Sequence, residues 1–246
     1  MASSSADAAK WIGDVMEDGR PLRQLDERLF SVLPEGTAGH AYDRRARAYD
    51  WMIGSRVYNR VAWGSSPAGY RRFARRAVQS APGGWFLDAG CGTLLLTADA
   101  YLATPARPIV VLDQSLGMLQ RARERVLGGG KRLPPHVVFL QADLLDLPFR
   151  PGAFRTVMSM GILHLFPDAG PLAASLESLL LPDGGLFLTA LVENGRLGDR
   201  YLRLLHRQGE VAQPRTAAVL EAQLRDALRR PLDYSVTGNM AYAVAD

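Results

Sequence analysis

Apolar residues change their period along the chain, and the changes mark out its elements. Short continuous runs, Trp85-Phe86-Leu87, Ile109 to Leu112, His136 to Leu140, Phe154 to Met160 and Leu186 to Val192, read as strands buried on both faces, the pattern of a covered parallel sheet. Between them, Thr93 to Leu102, the segment closed by Gly128-Gly129-Gly130, and Pro171 to Leu181 have helical spacing, and Pro182-Asp183-Gly184-Gly185 reads as a turn. Gly195 to Arg230 reads as helix interrupted near Pro214, and Leu232 to Val236 with Met240 to Ala245 as a terminal hairpin about a Thr237-Gly238-Asn239 turn. Strands alternating with helices predict an α/β fold, a mostly parallel Rossmann-like sheet with helices on both faces.

Ahead of that core the pattern differs. Residues 1 to about 8 are small and polar and are expected to be disordered. Apolar residues from Trp11 to Met16, and again at Leu22, Leu25, Leu29, Phe30 and Leu33, predict two short amphipathic helices parted by Gly19-Arg20-Pro21. They would pack on the domain, or serve as a lid or a membrane contact. Pro34-Glu35-Gly36 ends this extension, so the expected organisation is a partly disordered helical extension over residues 1–40 and one domain over 41–246. Tyr42-Asp43 and Tyr49-Asp50 lie seven apart, two helical turns, so both tyrosines face the same way. A further helix ends near Ser80.

A chain of 246 residues, 48% hydrophobic and 22% charged, suits one α/β domain with a sizeable core. Its formal charge is +4, and only Lys10 and Lys131 are lysines, so the positive charge is almost all arginine. Arginines from Arg44 to Arg76 crowd the segment before the central strand. They form a solvated helix surface, or they attract an anionic membrane surface or substrate. Aromatic interleaving of the kind that stacks bases is thin, so no nucleic-acid partner is expected. One cysteine, Cys91, excludes an internal disulfide and a multi-cysteine metal site, and fits a reducing interior. The amino terminus lacks a secretory pattern and no apolar run reaches the roughly 18 residues of a membrane span, so a cytoplasmic protein is expected. The oligomeric state is left open.

The candidate chemistry centres on Trp85 to Thr97. The strand delivers Asp88 to the sheet edge, Gly90-Cys91-Gly92 allows a sharp turn and a close approach to a ligand, and Thr93 is a credible N-cap for the helix that follows. Open α/β sheets bind ligands at such a point. A dinucleotide loop would place glycine where Leu95 stands, and an acid beside the loop repels a pyrophosphate. The same acid suits an ammonium or a sulfonium, and S-adenosylmethionine carries both. A second acid, Asp113, ends the next strand 21 residues beyond Gly92, the separation at which nucleoside-binding folds place a carboxylate on ribose hydroxyls. A third, Asp143, follows the strand after that. Three carboxylates on one edge repel each other unless a ligand spans them.

These residues carry a resemblance. Asp88-Ala89-Gly90-Cys91-Gly92-Thr93 resembles the first motif of the class I S-adenosylmethionine-dependent methyltransferases, D-x-G-x-G-x-G, with Leu94 where the family has its third glycine. Tyr42-Asp43, Ala46 and Tyr49-Asp50 are similar to the segment ahead of that loop in ubiquinone and menaquinone C-methyltransferases and related small-molecule enzymes. Asp113-Gln114-Ser115 with Met118-Leu119, Ala142-Asp143 with Leu147-Pro148-Phe149, and Gly161 with Leu163-His164 and Asp168 resemble later motifs. The likeness runs from about Ala41 to Asp246. It implies a seven-stranded, mostly parallel sheet with a carboxyl-terminal antiparallel hairpin, and S-adenosylmethionine as cofactor. It places that cofactor on Asp88, Ala89, Gly90, Cys91, Gly92, Asp113, Gln114, Asp143, Leu144 and Met160, with Asp113 on the ribose and Asp143 on the adenine amine.

Methyl transfer from a sulfonium is an in-line displacement that needs alignment and water exclusion more than catalytic side chains. Where the acceptor must lose a proton, His164 has the right ionisation range for a base, with Tyr49 and His206 behind it. A packing or loop-bonding role for His164 is the alternative. No metal cluster is visible, and none is expected. The function expected is methylation of a small, apolar or aromatic acceptor, a quinone precursor or a polyketide-like or lipid-like molecule, at oxygen or carbon. A non-catalytic S-adenosylmethionine-binding scaffold or regulator is the alternative, motivated by Leu94 and by the lack of an obvious base. A nicotinamide-dependent oxidoreductase is disfavoured by Leu95 and Asp88.

Overall fold

A computed structural model describes residues 5–35, 63–64, 66–81, 83–105, 107–130, 132–195 and 197–246. Tyr42, Tyr49 and the helix expected around them lie outside the described residues. Nine strands form one sheet: β1 (Arg23–Asp26), β2 (Leu29–Ser31), β3 (Phe86–Ala89), β4 (Ile109–Asp113), β5 (Val137–Gln141), β6 (Phe154–Met160), β7 (Leu180–Leu191), β8 (Leu232–Thr237) and β9 (Met240–Ala245). Their order is β1-β2-β5-β4-β3-β6-β7-β9-β8. The pairs from β2 to β7 are parallel, while β1 and the β8–β9 hairpin are antiparallel.

The helices are α1 (Ser5–Gly13), α2 (Pro67–Gln79), α3 (Ala98–Leu102), α4 (Leu116–Leu127), α5 (Gly170–Ser178), α6 (Leu197–Arg207) and α7 (Ala217–Ala227). Local chemistry sets several ends. Ser66 and Ser115 accept from the N–H groups of Gly69 and Met118 at the starts of α2 and α4, and Gly128 closes α4 in the left-handed region. Alternation along the strands then sorts the core into two layers. Leu87, Val110, Val138 and Val157 face α1, α5 and α7, whereas Phe86, Ile109, Val137 and Met158 face α2, α3 and α4.

Three expectations are corrected. The second amino-terminal helix is the β1–β2 hairpin, so the sheet has nine strands rather than seven. An edge strand with unpaired backbone groups outweighs a weak helical period: β2 pairs along β5, and Arg28, buried at the hairpin turn, donates to the Val137 carbonyl at 2.8 Å and to that of Pro135. The first helix begins at Ser5, inside the segment expected to be disordered, and Ile12 is fully buried in the core. After β3 the chain makes turns rather than helix, and α3 starts only at Ala98. Thr93 is therefore no N-cap; it is buried at the loop. A smaller shift concerns β7, which starts at Leu180, with the predicted Pro182–Gly185 turn appearing as an irregularity of its register against β6.

Candidate cofactor and acceptor site

The carboxyl ends of β3, β4, β5 and β6 open onto one cavity of about 660 Å³. At its rim the backbone of the glycine loop takes three left-handed residues, Gly90 (φ 79°), Gly92 (φ 55°) and Leu94 (φ 56°). The two glycines differ in why they are needed. A Cβ at Gly90 would come within 2.6 Å of the Ile162 side chain, so packing by Ile162 and Leu144 demands glycine there. A Cβ at Gly92 would meet nothing within 4 Å, so this is the glycine that faces open space. Leu94 adopts the conformation of the family's glycine while its side chain, 1% exposed, belongs to the buried cluster on the α2–α4 side of the sheet.

Asp113 organises the loop. Its Oδ2 accepts from the Gly92 N–H at 2.8 Å and its Oδ1 from the Ser115 N–H at 2.9 Å, tying the β3 loop to the end of β4. Asp143, two residues beyond β5, accepts from the Leu145 N–H at 2.9 Å and from Gln114 Nε2 at 3.2 Å. Asp88 is 2% exposed and accepts from the Tyr101 hydroxyl at 2.6 Å. Burial pushes its pKa up to about 7 against that hydrogen bond, with the Asp113 charge adding to the rise. Burial, with Asp113 and Asp88 nearby, also holds the Cys91 thiol well above its ordinary range, so it is no nucleophile at neutral pH. Met160, Leu144 and Met118 supply apolar lining. Of the cofactor residues expected from sequence, Ala89 alone does not line the cavity; it is the last residue of β3 and its side chain is fully buried in the core.

His164 lies in a short 3₁₀ turn, Leu163–Leu165, after β6, and also lines the cavity. Its Nδ1 accepts from the Leu191 N–H at 3.3 Å, which puts the ring proton on Nε2. Burial, assisted by the Arg215 cation, pushes its pKa down to about 4. The group is thus weakly basic with one lone pair engaged, the loop-bonding arrangement that stands as the alternative to a base, and it presents a neutral N–H donor. Arg215, missed in the sequence, holds this turn by donating to the Leu163 carbonyl at 2.9 Å and to that of Phe166. Tyr101 was missed as well, since nothing local links it to Asp88 thirteen residues before it. His206 does not line the cavity; its Nδ1 lies 3.1 Å from the Val211 carbonyl.

Away from the carboxylates the wall becomes apolar and aromatic, with Trp63, Tyr70, Phe166, Leu191, Leu205 and Met240. Trp63 packs on Tyr201 with ring centroids 5.2 Å apart. Glu210 is the carboxylate among the described residues of this end. One cavity thus joins a polar end lined by three acids to an apolar one.

Residues 86–184 match the methyltransferase domain family. Over those residues the chain resembles the class I methyltransferases that use S-adenosylmethionine. A malonyl-[acyl-carrier protein] O-methyltransferase of Legionella pneumophila is 31% identical over 150 residues, which cover 61% of this chain and 45% of that protein. A demethylmenaquinone methyltransferase of Beutenbergia cavernae is 31% identical over 158 residues, covering 64% and 57%. The chain therefore spans about half the length of these curated relatives. The geranyl diphosphate C-methyltransferase of Streptomyces coelicolor A3(2), solved with S-adenosyl-L-homocysteine, superposes with a TM-score of 0.59 at 15% identity over 72% of this chain and 74% of that one, a likeness of fold. The strands β5-β4-β3-β6-β7-β9-β8 make up the seven-stranded sheet expected of the methyltransferase domain, and the amino-terminal hairpin is an addition at its β5 edge.

The residues present fit the cofactor of this family. Asp113, Asp143 and Gln114 offer acceptors and an amide at one end of the cavity, Gly92 leaves open space, and the buried Asp88 suits a positive charge.

Proposed function

We propose that the protein is an S-adenosylmethionine-dependent methyltransferase acting on a small, apolar or aromatic acceptor by in-line transfer to oxygen or carbon. The observation that carries this reading is the single cavity with its acidic and its apolar end. Bound at the acidic end, S-adenosylmethionine supplies an electrophilic methyl group on a positively charged sulfur. Asp113 receives the ribose hydroxyls, Asp143 and Gln114 receive the adenine edge, and Asp88 complements the cationic end. Leu144, Met118 and Met160 exclude water between them, which strengthens each polar contact. Trp63, Tyr70 and Leu205 orient an apolar acceptor by packing, with Glu210 the carboxylate at that end. His164 donates its Nε2–H to an acceptor oxygen. With His164 so weak a base, the attacking atom arrives ionised or passes its proton to solvent.

Calorimetric titration with S-adenosylmethionine tests the reading, repeated with Asp113→Ala. Micromolar-range binding that Asp113→Ala weakens roughly 10- to 100-fold is expected, since hydrogen bonds to a charged group contribute about 1.5–3 kcal/mol. A folded protein that ignores the cofactor would sink the proposal.

A further inference from the structure

The helix beside the apolar end of the cavity has two unlike faces. Gly198, Asp199 and Leu202 of α6 are buried, and Leu202 shares a cluster with Trp63, Leu191 and Met240. Leu205 in the last turn, and Glu210 and Val211 just beyond, line the cavity itself. On the outer face stand Arg200, Arg203 and Arg207, all exposed, with Leu197 76% and Leu204 44% exposed along one edge. Positions 197 and 204 are two turns apart, so the two leucines form a stripe beside the arginines. The helix's one acid, Asp199, is turned inward, where it accepts from the N–H groups of Asn194 and Gly195 at 3.0 and 2.9 Å and from Asn239 Nδ2 at 2.5 Å. Arg203 is paired with Glu193 at 2.7 Å. The outer face of the helix is thus arginine and leucine.

We propose that α6 seats the apolar end of the cavity on an anionic lipid surface, from which a lipid-soluble acceptor enters. This rests on the apolar-acceptor reading above. A lone exposed leucine needs no explanation. Two on one edge beside guanidinium groups form the pattern of a helix lying in the headgroup plane, with leucines dipping into the acyl boundary and arginines on phosphates. An acidic protein surface would complement the arginines and leave the leucines unexplained. The helix has eleven residues, so the contact is shallow and reversible.

Co-sedimentation of the full chain with vesicles tests this, using phosphatidylcholine alone and phosphatidylcholine mixed with phosphatidylglycerol. Binding is expected only to the anionic vesicles and should weaken with added salt. Arg200→Gln with Arg207→Gln should lower the partition coefficient roughly 25-fold, about fivefold per charge. Leu197→Ser with Leu204→Ser should lower it about tenfold with the cofactor titration unchanged. Absence of vesicle binding, equal binding to neutral vesicles, or indifference to both double variants would overturn the proposal. Binding of poly-glutamate but not of vesicles through the same arginines would replace the lipid with an acidic protein. Titration of the same samples with S-adenosylmethionine reports separately on the cofactor site, so failure of docking and failure of the methyltransferase reading are told apart.

Discussion

Leu94 shows how one residue can depart from a motif and keep its geometry. Its φ of 56° costs a non-glycine residue about 1–2 kcal/mol, and its buried side chain offsets that with about 1.5–3 kcal/mol of transfer free energy. Restoring the family's glycine therefore does not repair the loop. Leu94→Gly should lower stability by roughly 2 kcal/mol in urea unfolding, because the cavity left behind outweighs the strain relieved. Asp88 is the second residue with a sign to work out. Its folded pKa, about 7, lies above the ordinary 3.8, so its burial costs stability progressively as pH rises from about 4 to about 7. Asp88→Asn should accordingly be more stable than the native chain at pH 8, by roughly 1–3 kcal/mol, with the difference shrinking through pH 5 and vanishing only below about pH 4. Binding runs the other way: a cationic ligand prefers the carboxylate, so cofactor affinity should tighten between pH 6 and pH 8, and calorimetry on Asp88→Asn should show a weaker, flatter profile.

Among the elements, the β1–β2 hairpin has the largest structural consequence. It covers the open edge of β5, the strand whose end leads to Asp143, and Arg28 pins it there through two carbonyls. Arg28→Ala leaves the left-handed backbone strain in place and removes a charged donor from buried acceptors. About 3 kcal/mol of stability should be lost, with faster hydrogen exchange in β5 before the rest of the sheet. A bidentate pair nearby, Arg20 with Asp146, has better geometry and less energetic weight, because both groups are largely solvated. Elements differ in how far the sequence reveals them. Strands β3 to β6 were legible because a strand buried on both faces must be apolar throughout, and the terminal hairpin because its turn chemistry is local. The amino-terminal hairpin was not, since Leu25 and Leu29 fit a helical period as well, and only the vacant edge of β5 chooses the strand. The loop after β3 reads as helix in the sequence because apolar Leu94, Leu95 and Leu96 mimic one.

Across the whole molecule, the sheet places three acids from three separate turns at one end of a cavity and aromatic side chains from distant segments at the other. If the two ends serve cofactor and acceptor, they should respond separately to substitution. Trp63→Ala is expected to raise the acceptor KM about tenfold in a methyl-transfer assay and to leave cofactor affinity within about twofold, a loss of binding rather than of chemistry. A parallel loss of cofactor affinity would show that the ends are not independent. Among the described residues no helix is long and apolar enough to cross a membrane.

What the sequence determined by itself was whatever depends on near neighbours: the apolar runs that become buried strands, the glycine and acid at the end of β3, the spacing to Asp113, and hence the cofactor class. What only the tertiary structure decided were the pairings between distant residues. Asp88 is held by Tyr101, the His164 turn by Arg215, and the edge of β5 by a segment a hundred residues earlier. Each of these depends on burial, which sets the worth of a hydrogen bond and the pKa of an acid or an imidazole. Burial belongs to the packed chain as a whole, so no local pattern of residues encodes it.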